Sequence, residues 1–226
     1  MSIAMRRSWP PVPPDVPPGV DEHDLYPDHE EDRIPLKPRH ELQTRYLRDA
    51  LAARFPSLWA TGEISMYWEK GNPRKCVLPD VVVIDCPPPK PLPSTYLKWV
   101  DPPVLVVMEI GSKSTFRRDE KPKVRTYEVD LASAEYLYFH PDREELRFFR
   151  MGAQGYQRVA PDARGRVYSE MLELWFGPDE EGWLRAYTAD GERLLTHEES
   201  EHARREAEYA RREAEHARRE AEHARR

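Results

Sequence analysis

Between residues 39 and 55 the apolar side chains Leu42, Tyr46, Leu47, Ala50, Leu51 and Phe55 recur every three or four positions. That spacing predicts an amphipathic helix, which Pro56 ends. The period then shortens to two at Ile64, Met66 and Trp68, as in a half-buried strand, and Gly71-Asn72-Pro73 supplies a turn. Val81–Ile84 and Val104–Ile110 are unbroken apolar runs, as in strands covered on both faces. The proline-rich connection between them, 87–103, is expected to run over the surface near whatever the site binds. A short helix is predicted over 123–131, with Pro122 tolerated in its first turn. Strands follow at 135–140 and 145–150 around Pro141-Asp142, and further short ones at 156–159, 172–176 and 183–187. A leading helix followed by strands with one inserted helix predicts an α/β fold built on a mixed sheet.

Both ends depart from this pattern. Residues 1–33 are rich in proline and acid and lack the apolar surface that would offset ordering, so they read as a disordered or extended tail. From 201 onward the chain repeats every seven residues, with alanine at 203, 207, 210, 214, 217, 221 and 224. The alanines form a narrow stripe on a helix that glutamate and arginine support with weak ion pairs. A solvated single helix and a coiled coil fit this repeat about equally, and His202, His216 and His223 read as exposed on it. The expected organisation is a tail over 1–35, a folded domain over 36–197 and a charged helix over 198–226.

Charge sharpens the picture. The formal net charge is −6, but 1–33 carry −5 of it and 198–226 carry −1, so the middle is neutral. Within that middle Lys113, Arg117, Arg118, Lys121, Lys123 and Arg125 crowd one stretch. A local basic patch can hold a polyanion on a chain that is acidic as a whole. No apolar run approaches the roughly 20 residues that span a bilayer. The first residues put Arg6 and Arg7 ahead of no apolar stretch, so no secretory signal is expected. Cys76 and Cys86 are too few for a disulfide framework or a zinc site, which predicts a cytoplasmic protein with reduced thiols.

The candidate chemistry lies at the ends of the two apolar runs. Asp80 follows Pro79 at the head of VVVI, and Glu109 closes VLVVME. A carboxylate ending a buried strand is costly without a partner. If the two strands are neighbours, both acids stand at one sheet edge and form a hard-oxygen pair of the sort Mg²⁺ uses. Taken singly, each acid is more simply a solvated or ion-paired strand end.

The whole block is Pro79 and Asp80, then Glu109, Ser112, Ser114 and Thr115, then Asp119, Lys123 and Tyr127, then Glu135, Tyr136 and Asp142. This spaced pattern resembles the Uma-two family of restriction-endonuclease-like proteins, members of the PD-(D/E)XK nuclease superfamily. The resemblance covers roughly residues 39–195. It implies a restriction-endonuclease-like fold, with a mixed β-sheet core flanked by helices. It also implies a Mg²⁺- or Mn²⁺-dependent endonuclease with Asp80 and Glu109 as metal ligands. The superfamily's usual lysine position, two residues after the acid, is Gly111 here. The family pattern moves the lysine to the following helix and makes Lys123 the candidate, with Lys113 and Lys121 as rivals. Glu41 is a further candidate acid, although its simpler reading is a surface residue. Ser112 and Ser114 read as loop residues that hydrogen-bond around the site, and Asp119 as a helix cap.

The expected reaction is hydrolysis of a DNA phosphodiester, with Arg117, Arg118 and Arg125 holding the flanking backbone. The alternative is a nuclease-like module that binds nucleic acid or protein without cutting. Homo-oligomers are open through either the core or the heptad helix.

Overall fold

The apolar runs are the central strands of a six-stranded sheet. A computed structural model describes residues 12–13, 15–27, 38–111 and 120–224, and the side chains of these except 120–122 and 215–224. In chain order the strands are β1 (Trp59–Thr61), β2 (Ser65–Tyr67), β3 (Cys76–Val77), β4 (Val81–Ile84), β5 (Thr95–Leu97) and β6 (Val104–Ile110). They continue as β7 (Glu135–His140), β8 (Glu145–Gly152), β9 (Gly155–Val159), β10 (Val167–Ser169), β11 (Leu174–Pro178) and β12 (Leu184–Tyr187). The helices are α1 (Pro38–Arg54), α2 (Glu120–Arg125) and α3 (His197–Ala224). The main sheet runs β1-β4-β6-β7-β8-β9 and is antiparallel except where β6 lies parallel to β7. The crossover between those two strands carries α2. Two three-stranded sheets, β10-β11-β12 and β3-β2-β5, complete the α/β architecture.

Strand alternation explains why β4 and β6 are apolar throughout. Val81 and Val83 face a core shared with Leu47 and Leu51 of α1, and with Leu174, Phe176 and Leu184 of β11 and β12. Val82 and Ile84 face a second core with Met66 of β2, Tyr96 of β5 and Tyr127. Each central strand therefore buries both faces. Gln43 fixes α1 to β12: its amide donates to the Leu184 carbonyl at 2.8 Å and accepts from the Leu184 N–H at 2.9 Å. No helix of the described residues is long and apolar enough to cross a membrane.

Several expectations change. The connection 87–103 does not simply skirt the surface: Thr95, Tyr96 and Leu97 form β5, fully buried and parallel to β2. The helix expected over 123–131 starts at Glu120, and its second half is a π turn over Thr126–Asp130. The strand expected at 172–176 begins at Leu174 and runs to Pro178. The tail is not wholly extended either, because a 3₁₀ turn at Glu22–Leu25 docks on the β3-β2-β5 sheet. Tyr26 is buried there against Tyr67 and Trp99, with ring centroids 4.8 and 5.5 Å away. The Gly71 N–H donates to the Tyr26 hydroxyl at 2.8 Å, and Trp99 Nε1 donates to Glu22 at 3.0 Å. The segment has no core of its own, but it lends one aromatic ring to a core built elsewhere.

The heptad segment is helical, as α3. Its start is a reciprocal cap in which the Glu199 N–H donates to Thr196 Oγ1 at 3.1 Å and the Thr196 N–H donates to the Glu199 carboxylate at 2.8 Å. Ion pairs Arg204–Glu201 and Arg212–Glu208 lie along its exposed surface.

Candidate functional site

The register of β4 against β6 decides where the two acids lie. Val82 faces Val107 and Val81 faces Met108, so one further step sets Asp80 opposite Glu109. The contacts agree: the Ile110 N–H, next to Glu109, donates to Asp80 Oδ2 at 2.7 Å. His40 Nε2 meets the same oxygen at 3.1 Å. Asp80 Oδ1 takes no hydrogen bond among the described residues. Behind Asp80 the chain turns at Gly62-Glu63, where Glu63 has a φ of 56° and its N–H donates to the Pro79 carbonyl at 2.9 Å. A Cβ on Gly62 would lie 2.1 Å from the Asp80 carbonyl oxygen, so only glycine permits this approach.

Glu109 is buried and carries donors on both oxygens. Lys123 Nζ lies 3.0 Å from Oε1 and 2.9 Å from Oε2, and the Tyr127 hydroxyl donates to Oε1. Lys123 reaches it from α2, and Tyr127 from the π turn that continues α2. The Glu109 pKa is pushed up to about 6. Burial is the main cause; Lys123 pulls it down, Asp80 pushes it up, and the Tyr127 hydrogen bond pulls it down. Burial would lower the His40 pKa, but the hydrogen bond and charge of Asp80, with the charge of Glu109, outweigh it and raise the pKa overall. Burial and the Glu109 charge push the Tyr127 hydroxyl far above its ordinary range.

Position 111 is the next residue on this face of β6. A Cβ there would collide with Tyr138, so the local fold has no room for a lysine at that point. The cation comes instead from α2, fourteen residues beyond Glu109.

The structure thus brings Asp80, Glu109 and Lys123 together. Glu41 is exposed on α1; its neighbour His40 is the residue that reaches Asp80. Arg125 is exposed and paired with Asp130 at 3.6 Å. Ser112, Lys113, Ser114, Thr115, Arg117, Arg118 and Asp119 lie outside the described residues, as does the side chain of Lys121. Glu135 belongs to the same sequence pattern but to the other face of the sheet. It is fully buried and latches β7 to β10, with Arg150 Nε at 3.2 Å, the Glu170 N–H at 2.8 Å and the Ser169 hydroxyl as donors.

The sequence reading missed His40 as a site residue and left Tyr127 without a role. The signal for His40 was there, since positions 40, 44, 47 and 51 share one face of α1. Among the described residues no group of three or more His, Cys, Asp or Glu side chains could hold a metal ion. A two-carboxylate pair does not suit a structural zinc, which wants four protein ligands. It does suit Mg²⁺, which is held by one or two carboxylates and keeps waters elsewhere in its shell.

Among solved structures, the chain resembles a protein described as a putative nuclease belonging to DUF820, from Anabaena variabilis. The TM-score is 0.47 and the identity 10%, over 62% of this chain and 76% of that one. No curated protein matches the chain. The profile of the Uma2 family, described as "Putative restriction endonuclease", matches residues 29–177, a span that contains Asp80, Glu109, Lys123, Tyr127 and His40. The chain belongs to the Uma2 family.

Proposed function

We propose that this protein is a metal-dependent endonuclease that hydrolyses phosphodiester bonds of DNA. Asp80 and Glu109 would hold Mg²⁺ or Mn²⁺, and Lys123 would act beside them. The observation that carries this reading is the juxtaposition of the two carboxylates on facing strands, with Lys123 on Glu109. Asp80 raises the Glu109 pKa, which is the repulsion a bound cation would relieve. The cation's chemistry at such a site is polarisation of the scissile phosphate and activation of a water for attack.

The protein's own groups supply the rest. His40 and the Ile110 N–H fix one oxygen of Asp80, which leaves Oδ1 available as an acceptor. Tyr127 holds Glu109 in one orientation. Lys123 balances negative charge that builds up on the phosphate and orients the attacking water. The unit that carries the activity is 36–197, with 198–226 as a charged arm available for pairing with a second copy. Cys76 and Cys86 are free thiols, in keeping with a cytoplasmic setting.

One observation favours a second reading. Lys123 and Tyr127 already satisfy Glu109, as would suit a nuclease-like module that binds without cutting. Nicking of supercoiled plasmid DNA in Mg²⁺ or Mn²⁺ separates the two. Endonuclease activity predicts metal-dependent nicking that falls at least about a hundredfold in Asp80→Ala and in Glu109→Ala. Absence of nicking by the wild type, or nicking at the wild-type rate by both variants, overturns it.

A further inference from the structure

The sheet face that carries Asp80 and Glu109 runs on into two arginines. Glu109 faces Tyr138 across β6 and β7, Tyr138 faces Arg147 across β7 and β8, and Phe149 faces Arg158 across β8 and β9. Alternation puts Glu109, Tyr138, Arg147 and Arg158 on the same face. Arg147 stands two strands from Glu109, roughly 10 Å at the spacing of neighbouring strands. Its guanidinium lies over the Tyr138 ring, 5.5 Å from the centroid, and meets Glu145 at 2.6 Å, with 23% of the side chain still exposed. The ring and the carboxylate therefore set its orientation without covering it.

Arg158 is exposed and has no ion pair among the described residues. It sits diagonally across the strand pair from Arg147, a spacing that long side chains can bridge. The two cations do feel each other: burial lowers the Arg147 pKa, and the Arg158 charge lowers it further. An anion between them would remove that cost, and a planar guanidinium fits a phosphate with two parallel hydrogen bonds.

We propose that Arg147 and Arg158 grip the DNA backbone at a phosphate flanking the one that is cut, on the β8–β9 side of the site. This rests on the nuclease reading for the position of the cut. The contact itself is sequence-independent and positions the duplex without reading its bases.

The test is fluorescence anisotropy of a short labelled DNA duplex with the full chain in Ca²⁺, repeated over a salt series. Arg158→Glu should weaken binding at least about tenfold, and Arg147→Gln severalfold. Each should flatten the dependence of log affinity on log salt by about one unit. Arg158→Lys should keep most of the affinity. Arg164→Glu, an exposed arginine on the turn before β10, should bind as wild type. In plasmid nicking the Arg158→Glu defect should appear in KM, with kcat unchanged. Wild-type affinity and salt slope in both Arg158→Glu and Arg147→Gln overturn the proposal, as does failure of the wild type to bind the duplex. Arginine-dependent binding without nicking would sink the hydrolytic reading and leave this contact standing. Nicking with arginine-independent binding would do the reverse.

Discussion

A Cβ placed on Gly111 would lie 2.3 Å from the hydroxyl oxygen of Tyr138 and 2.8 Å from its Cζ. Real side chains do not approach so closely. Tyr138 is buried, so it has little room to swing away. The position two residues after Glu109 is thus approached by the Tyr138 side chain of a neighbouring strand. The cation that meets Glu109 comes from α2 instead, as Lys123.

Gly111→Ala should therefore lower stability by about 1–3 kcal/mol through overpacking, read as a lower denaturation midpoint at constant m. Combining it with Tyr138→Ala should give a double variant less destabilised than the sum of the two singles. Additive losses would mean that the two residues do not compete for this space.

The Lys123–Glu109 pair predicts a measurable titration. Glu109 titrates at about 6 with Lys123 pulling it down, so Lys123→Met should raise that pKa further. Carboxyl-carbon NMR across the acid range reads it directly. The sign for stability follows from linkage. A carboxyl raised in the folded state adds stability below its unfolded value and loses it as pH rises through the folded pKa. In the metal-free protein this contribution should fade between about pH 4.5 and about 6. An unchanged Glu109 pKa in Lys123→Met would show that the pair does not form in solution.

His40 holds Asp80 without carrying a carboxylate of its own. His40→Ala leaves Asp80 Oδ2 with the Ile110 N–H alone. Groups that orient a metal's ligands typically account for about 10–100-fold in affinity or activity when removed. Mn²⁺ binding followed calorimetrically should weaken by about that factor, whereas Glu41→Ala on the exposed side should not alter it. A wild-type Mn²⁺ affinity in His40→Ala would remove His40 from the site.

The docked N-terminal segment has a pH dependence of its own. The Asp101 hydrogen bond, against the opposing effect of burial and with help from Asp21, raises the His23 pKa to about 9. His23 Nε2 lies 3.1 Å from both Asp101 oxygens, and Asp101 also accepts from the Leu97 N–H of β5 at 2.5 Å. A histidine raised in the folded state adds stability that is complete below its unfolded pKa, near 6.5, and is lost as pH rises through about 9. The stability gap between wild type and His23→Ala should be widest near pH 6 and close towards pH 10. A gap that is constant over this range would show that the His23 charge does not contribute to the docking.

The sequence by itself determined the longer elements and marked two acids at their ends. Hydrophobic period fixes α1, β4 and β6, because burial on one face or on both leaves a direct trace in residue order. The charge at each end of those strands marks Asp80 and Glu109 for the same reason: a carboxylate is costly in an apolar run and needs a purpose there. Short elements such as β1, β3 and β5 left too few residues for any period to show, and β5 was further hidden among prolines. Tertiary structure alone decided what depends on long-range register and packing. It set Asp80 opposite Glu109, made His40 rather than Glu41 the partner of Asp80, filled position 111 with Tyr138 and sent Glu135 to the opposite face as a latch. A one-residue slip in any of these pairings would turn the side chains to the other face, and local sequence carries no record of which strand lies alongside.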